Sequence, residues 1–342
     1  MKHPEYSRYD LAFKEPAITS RSTMLHKETY FIRIFDETVP EGSVVGEVPL
    51  FRGLSAEDTP GFEQSLREYC SGYPDSGYPS MSSLAFGIDS VNQQIMFRNN
   101  PDEDEIRIPI NGLVWMGDKR TMSGRIRQKL DAGFRCVKLK IGGIKFEDEL
   151  DLLRTIRNEF SPADLELRVD ANGAFTPAEA PEKLKRLSEF SLHSIEQPIR
   201  QGQWEEMRKL CETSPIPIAL DEELIGPWCG RSGEEMNTLL ESIRPQFIIL
   251  KPSLCGGFKA ADRWISMAEK HGIGWWATSA LESNIGLTAI ARWVKKHNPV
   301  IPQGLGTGAL YTNNFPSPLR MEGDELVVDP TAEYNIPELD WK

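Results

Sequence analysis

Residues 165–170 read LELRVD, a short apolar strand pattern that ends in an acid, Asp170. A helical pattern follows over residues 177–190, and another short apolar run begins at Ser194. Strands that alternate with helices in this way are typical of βαβ units, whose strands lie parallel in one sheet. This stretch therefore predicts an α/β fold.

The same unit recurs through the second and third hundred residues of the chain. Eight strand candidates occur there, namely Gly112–Met116, Cys136–Ile141, Leu165–Asp170, Ser194–Gln197, Pro217–Asp221, Phe247–Lys251, Ile273–Thr278 and Val300–Gln303. Helical patterns separate them, among others over Asp148–Phe160, Glu234–Ile243, Phe258–Lys270 and Asn284–Lys296. Eight such repeats in about 200 residues favour a closed (β/α)₈ barrel of the TIM type over an open, doubly wound sheet.

The first third of the chain follows another order, with strands first and helices afterwards. Strand-like patterns cover Tyr30–Phe35 and Val44–Phe51, and helical spacing covers Thr59–Ser71 and Ser80–Phe97. This order predicts a small α+β unit beside the barrel.

The patterns divide the chain into three segments, which are an α+β domain over 1–110, the barrel over 111–310, and a C-terminal segment over 311–342. Within the last segment, the turn Glu322-Gly323-Asp324 separates Leu319–Met321 from Leu326–Val328, which predicts a hairpin. We expect this segment to return to the N-terminal domain.

Five consecutive strands of the predicted barrel end in a charged residue: Lys140, Asp170, Glu196, Asp221 and Lys251. The intervals between them are 30, 26, 25 and 30 residues, each about the length of one βα unit. A single acid at a strand end is ordinarily a helix cap or a turn residue. One charged group in each of five repeats instead converges on the C-terminal edge of a barrel, where active sites of this fold lie.

Three of these residues are acids on neighbouring strands. Carboxylates that meet in one barrel mouth repel one another unless a cation lies between them. Oxygen ligands without a nearby His or Cys favour a hard ion, so Asp170, Glu196 and Asp221 predict a Mg²⁺ site, with Mn²⁺ as a substitute.

The lysines flank the acids on both sides. Lys138 and Lys140 are two residues apart on one strand, so both side chains point to the same face. Two ammonium groups near a metal depress each other's pKa, which favours a neutral amine that can act as a base. With Lys251 opposite, the group predicts proton abstraction from the carbon beside a carboxylate through an enediolate.

These residues resemble the enolase superfamily, which uses Lys or His bases with Mg²⁺. The chain is similar to its muconate-lactonizing subgroup, because it has Lys-x-Lys on the second strand and Lys at the sixth, and no His near the end of the seventh. The resemblance implies an enolase-like barrel, whose last unit can be modified, and an N-terminal capping domain that the C-terminal tail completes.

Within the subgroup, two runs resemble the o-succinylbenzoate synthases: Lys251-Pro252-Ser253-Leu254-Cys255-Gly256-Gly257 and Ser279-Ala280-Leu281-Glu282-Ser283. That resemblance implies a Mg²⁺-dependent syn dehydration in menaquinone biosynthesis. It implies Asp170, Glu196 and Asp221 as metal ligands and Lys140 and Lys251 as the catalytic pair. The residues that it implies for substrate binding are Lys138, Arg168, Asn172, Ser279 and Leu281.

Two details qualify the resemblance. Glu223 stands where relatives commonly carry a small hydroxyl residue, so the sequence does not say which residue supports Asp221. The Thr19–Lys27 loop resembles the capping-domain loop that closes over substrate.

Composition excludes several classes of partner. The net charge is −12 and no basic block occurs, so nucleic acid is not an expected partner. No apolar run is long enough for a membrane span. Five scattered cysteines without a CxxC pair argue against a disulfide framework and suit the cytoplasm. We expect a small carboxylate substrate, and the oligomeric state stays open.

Other functions use the same scaffold. An N-acyl amino acid racemase or a dipeptide epimerase would employ the same lysine pair. An epimerase needs a carboxylate for the free ammonium group of its substrate, and the stretch Gln303–Gly308 offers none. A non-catalytic barrel would be expected to have lost at least one of the charged strand ends, and none is lost.

Overall fold

The computed structural model describes residues 2–18, 23–99, 104–332, 336 and 338–342. The N-terminal domain begins with an antiparallel sheet of three strands in the order β1-β2-β3, followed by two helices. Their bounds are β1 Glu5–Ile18, β2 Thr23–Phe35, β3 Ser43–Val48, α1 Phe62–Gly72 and α2 Ser82–Asn99.

Helix α2 lies very close to β3 because both carry a glycine at the contact. A Cβ atom on Gly46 would lie 2.4 Å from the carbonyl oxygen of Gly87, and one on Gly87 would lie 2.7 Å from a methyl of Val48. Only glycine lets the two backbones approach this closely.

The barrel follows as seven parallel strands in the order β11-β10-β9-β8-β7-β6-β5. After the short strand β4 (Ile106–Pro109), its elements are β5 Gly112–Val114, α3 Lys119–Asp131, β6 Cys136–Lys140, α4 Phe146–Glu159, β7 Glu166–Asp170, α5 Ala180–Leu187, β8 Ser194–Glu196, α6 Trp204–Thr213, β9 Ile218–Leu220, α7 Gly233–Ile243, β10 Phe247–Leu250, α8 Gly257–Lys270, β11 Gly274–Ala277 and α9 Asn284–Lys295. The largest hydrophobic core lies between these strands and their helices.

Gln303 and Gly304 close the barrel at the eighth position. The Gln303 amide donates to the Pro109 carbonyl (2.8 Å), and the Gly304 amide donates to the Ala277 carbonyl (2.8 Å). Because these contacts are isolated bridges, Val300–Gln303 does not form the continuous strand that was predicted. Pro302 accounts for the missing strand, since proline has no N–H to donate to a ladder.

The C-terminal segment returns to the N-terminal part of the chain both through a hairpin and through its last residues. Strands β12 (Leu319–Glu322) and β13 (Glu325–Val328) form the predicted hairpin, and β13 pairs with β4. At the chain end, Lys342 and Tyr6 of β1 exchange backbone hydrogen bonds of 2.9 and 3.1 Å.

The predicted class, a barrel with an N-terminal α+β domain, is confirmed. Strand β1 was not predicted, and β2 begins seven residues before the predicted Tyr30. No helix among the described residues is long and apolar enough to cross a membrane.

Candidate active site

The charged strand ends meet at one edge of the barrel. Lys140 of β6 pairs in register with Asp170 of β7, which pairs with Glu196 of β8. Asp221 directly follows β9, and Lys251 directly follows β10. Because the strands are parallel and in sequence order, one βα unit separates each group from the next. All five charged residues therefore lie at one edge of the barrel, as their spacing predicts.

Lysines and acids form ion pairs across this edge. Lys138 Nζ lies 2.8 Å from Glu196 Oε2 and 3.4 Å from Asp170 Oδ2. Lys140 pairs with the same oxygen of Asp170, and Lys251 pairs with Asp221 Oδ2. The acids lie between the lysines of β6 and the lysine after β10, which stand on opposite sides of the barrel.

Burial and charge shift the pKa values of this group. Burial, together with the charge of Asp170, raises the pKa of Glu196 well above its usual range. Burial also acts to raise the pKa of Asp170, but Lys140 and Lys138 outweigh it and hold that pKa low. Crowded carboxylates of this kind favour a cation between them.

The carboxylates shift the pKa values of two lysines at this edge. Burial acts to lower the pKa of Lys138, yet Glu196 and Asp170 outweigh it and raise that pKa. Asp221 and Glu196 likewise raise the pKa of Lys251 against the effect of burial. The carboxylates therefore act on Lys138 more strongly than the neighbouring ammonium groups do. The depressed pKa was predicted for lysines beside a metal ion, and it stays a prediction.

The acids fit a metal ion by their chemistry. Glu196 Oε1 and Asp221 Oδ1 are buried and accept no hydrogen bond from the described residues. Such orphaned anionic oxygens are what a hard cation binds. Within the described ranges, no three His, Cys, Asp or Glu side chains stand ready as a formed metal cluster. One oxygen of each of the three acids is instead paired with an ammonium group, that of Lys138, Lys140 or Lys251.

Asn172 lies beside Lys140. Its Oδ1 accepts a hydrogen bond from Lys140 Nζ (2.9 Å), and its Nδ2 donates to Glu222 Oε1 (3.1 Å). The backbone amide of Asn172 donates to Asp170 Oδ1 (2.9 Å), with φ at +46°. Asn tolerates this left-handed conformation better than most residues. The residue thus orients Lys140.

Arg168 lies apart from the other predicted site residues. Its guanidinium donates to Glu166 Oε1 (2.7 Å) and to the Pro302 carbonyl (2.9 Å), and it lies 4.5 Å from the ring centroid of Trp276. These partners hold it inside the barrel, and it does not line the cavity described below.

Glu223 also points away from the lysines and acids. It accepts hydrogen bonds from the Gly202 amide (2.8 Å) and from Trp204 Nε1 (3.0 Å). The backbone of Asp221 is instead held by Gln197, whose Oε1 accepts from the Asp221 amide at 3.1 Å. Gln197, rather than Glu223, therefore supports the backbone of Asp221.

A cavity of about 320 Å³ lies above this edge, between the barrel and the N-terminal domain. The predicted residues that line it are Lys138, Lys140, Lys251, Asn172, Ser279 and Leu281. Ser279 Oγ accepts from Thr307 Oγ1 (2.8 Å) and from the Leu281 amide (2.9 Å). Leu281 has φ at +65°, an unfavourable conformation for this residue type.

The apolar wall of the cavity was not predicted from the sequence. It includes Met24, Phe51, Leu54 and Trp115, of which all but Trp115 belong to the N-terminal domain. Phe51 ends the predicted strand Val44–Phe51, and Leu54 follows three residues later, so their position at a strand end was an available signal. Of the predicted closing loop, Thr23–Lys27 belongs to β2, and residues 19–22 lie outside the described residues.

Comparison with known proteins gives consistent matches. The sequence model of the family "Enolase C-terminal domain-like" matches residues 121–329. The o-succinylbenzoate synthase of Desulfotalea psychrophila is 46% identical over 94% of this chain and 98% of its own length. The crystal structure of MenC from the same species is 42% identical, with a TM-score of 0.78 over 95% of this chain and 99% of that one.

A relative with a different activity matches a smaller part of the chain. The N-succinylamino acid racemase of Amycolatopsis sp is 29% identical over 61% of this chain and 55% of its own length. The synthase match therefore covers more of both chains, at higher identity.

Proposed function

The chain belongs to the enolase C-terminal domain-like family, and from that premise we propose that it is an o-succinylbenzoate synthase. It is then a carbon–oxygen lyase that converts 2-succinyl-6-hydroxy-2,4-cyclohexadiene-1-carboxylate to o-succinylbenzoate and water, in menaquinone biosynthesis. The observation that carries the proposal is the 46% identity to a synthase over 94% of this chain. Lys140 and Lys251 stand on opposite sides of one cavity, and the strands that carry the three acids lie between theirs, which suits the chemistry.

We propose that Asp170, Glu196 and Asp221 hold one Mg²⁺, or Mn²⁺ in its place. The orphaned oxygens of Glu196 and Asp221 support this ligand set. The metal, when bound, supplies positive charge that stabilises an anionic carboxylate and lowers the barrier to enolisation. Lys138, which pairs with the acids in this structure, would meet the substrate carboxylate at the same edge.

The protons move through Lys140. As a neutral amine, Lys140 takes the proton from the carbon beside the carboxylate. The same ammonium then gives a proton to the departing hydroxyl on the same face of the ring, which leaves as water. Asn172 holds the Lys140 amine at 2.9 Å and so fixes its direction. Lys251 stays charged on the opposite face and stabilises the enediolate.

The cavity suits this substrate. Its volume lies in the range of small-molecule sites, and an apolar wall with a few polar groups is typical of them. Phe51, Leu54 and Trp115 offer surface for a six-membered ring, whereas Ser279 and Thr307 offer hydroxyl groups. We propose Ser279 and Leu281 as substrate-binding residues and leave Arg168 out of the set, because it does not reach the cavity.

We place the reaction in the cytoplasm. All five cysteines are free thiols, and four of them are buried. Free thiols persist in a reducing compartment.

The experiment compares three reactions of the purified protein. With Mg²⁺, it should form o-succinylbenzoate from the cyclohexadiene substrate, and EDTA should abolish that reaction. Racemisation of an N-succinyl amino acid and epimerisation of a dipeptide are measured beside it. Dipeptide epimerisation without dehydration would contradict the synthase assignment and leave only the family.

A further inference from the structure

Three buried charged residues lie behind the cavity wall, where the N-terminal domain meets the barrel. Lys27 of β2, Glu47 of β3 and Glu282 after β11, here named the boundary cluster, are 4%, 0% and 0% exposed. Lys27 Nζ has no hydrogen-bond partner among the described residues. Buried charges are costly unless each is compensated, so a cluster that only held two domains together would be expected to be apolar.

Glu47 reaches from the N-terminal domain into the barrel. It accepts from Thr29 Oγ1 (2.9 Å), the Ser283 amide (2.9 Å), Ser283 Oγ (2.6 Å) and the Gly286 amide (3.1 Å). Ser283 and Gly286 belong to the N-terminal end of α9, where unpaired amides favour an anion. A carboxylate of one domain therefore caps a helix of the other.

Glu282 links the same turn to the Lys251 loop. Its Oε1 accepts from Ser253 Oγ (2.5 Å), and its Oε2 accepts from the Ala280 amide (2.8 Å). Ser253 follows Lys251 by two residues and is fully buried. A shift of Glu282 is thus transmitted through one hydrogen bond to the loop that carries the lysine.

Four chain segments that line the cavity meet at this cluster. In each segment, a residue of the boundary cluster or its hydrogen-bond partner lies within four sequence positions of a residue that lines the cavity. The pairs are Lys27 and Met24, Glu47 and Phe51, Glu282 and Leu281, and Ser253 and Leu254. Leu281 also keeps its left-handed conformation here, with its carbonyl bonded to Tyr311 Oη at 2.7 Å. A strained residue persists only where its surroundings hold it.

We propose that Lys27, Glu47 and Glu282 are positioning residues for the reaction. The two carboxylates hold the 279–283 turn and the Lys251 loop against the N-terminal domain, and the Lys27 ammonium balances their charges. Lys27 is two residues from Thr29 on β2, so its side chain points to the same face as the hydroxyl that bonds Glu47. Burial lowers the pKa of Lys27, while the charges of Glu47 and Glu282 oppose that shift. Closure of the cavity wall and placement of Lys251 are then one structural event.

The role of Lys27 is separable from that of the hydrogen bonds. Without its charge, the two carboxylates repel each other across the turn. Replacing Glu282 by Gln removes one negative charge and keeps both hydrogen bonds, because an amide oxygen can accept from Ala280 and its NH₂ can donate to Ser253 Oγ. Glu282→Gln should therefore compensate for the loss of the Lys27 charge.

The test compares Lys27→Met, the double variant Lys27→Met with Glu282→Gln, and Lys14→Met as a control. Lys14 lies exposed on β1, so its loss should leave the protein unchanged. Lys27→Met should lower kcat/KM for dehydration about tenfold to hundredfold, mainly in kcat, because Lys251 is displaced. It should also speed amide exchange over residues 280–286 more than elsewhere. The double variant should regain most of the lost kcat/KM and most of the protection from amide exchange.

Three outcomes would overturn the proposal. They are wild-type kinetics and exchange in Lys27→Met, a lower melting temperature without any kinetic change, and a double variant no better than the single one. Should Lys27→Met not fold, Glu282→Ala must lose kcat/KM and Glu282→Gln must keep it. The inference rests on the proposed function only for its kinetic assay. If the wild type does not dehydrate the substrate, that function fails, and amide exchange still decides the inference.

Discussion

A regular βα repeat brings five charged strand ends to one edge of the barrel. Arg168 does not reach that edge, although its strand position alone would direct it there. It stands two residues before Asp170 on the same strand, and the alternation of side chains predicts the same face for both. The long side chain instead bends back to Glu166 and the Pro302 carbonyl. The alternation of side chains along a strand determines the face to which a residue points. Whether a long side chain reaches one end of the barrel or the other depends on its hydrogen-bond partners.

At the same scale, the two catalytic lysines should respond differently to arginine. Lys140→Ala and Lys251→Ala should each lower dehydration about 10²- to 10⁴-fold. Lys251→Arg should retain a trace of activity, because guanidinium keeps the charge. Lys140→Arg should retain none, because Arg does not deprotonate. The measurement is the dehydration rate, with folding checked by circular dichroism. Faster turnover by Lys140→Arg than by Lys251→Arg would mean reversed roles or two bases.

At the scale of elements, apolar runs of the barrel were predictable because each strand is buried on both faces. The N-terminal domain was harder to predict. Strand β1 lies at the edge of its three-stranded sheet and mixes charged residues with its apolar ones, so no clear alternation marks it as a strand. The close contact of β3 with α2 was also not predicted, because no local pattern distinguishes Gly46 and Gly87 from loop glycines.

Two helix glycines should respond oppositely to alanine. Gly87→Ala would place a Cβ 2.7 Å from a methyl of Val48, and such overpacking should lower the free energy of unfolding by about 1–3 kcal/mol. Gly124 lies in α3 with no atom within 4 Å of its Cβ position, so Gly124→Ala should raise it by about 0.5–1 kcal/mol. Urea unfolding measures both. Equal effects would contradict the packing of α2 on β3.

At the scale of the whole molecule, a ligand that binds only the folded state stabilises all of it. Mg²⁺ at about 100 times its Kd should therefore add about 2.7 kcal/mol to the free energy of unfolding. Asp221→Asn should lose most of this gain and of the activity, and Asp164→Asn, an exposed loop acid, should lose neither. Thermal unfolding at increasing Mg²⁺ measures the effect. An EDTA-treated protein with full activity would contradict the metal site.

The C-terminal segment should stabilise the whole molecule, because it completes a hydrophobic cluster between the two domains. Leu339, only 8% exposed, packs there with Phe31, Ile285 and Phe315. Leu339→Ala should lower the free energy of unfolding by about 2 kcal/mol, whereas Leu25→Ala, at a residue 59% exposed, should change it by less than about 0.5 kcal/mol. The cluster joins strand β2 to helix α9. In calorimetry, Leu339→Ala should therefore move a single cooperative unfolding transition of the whole molecule to a lower temperature. Two separated transitions, with only one of them shifted, would show that the segment stabilises one domain alone.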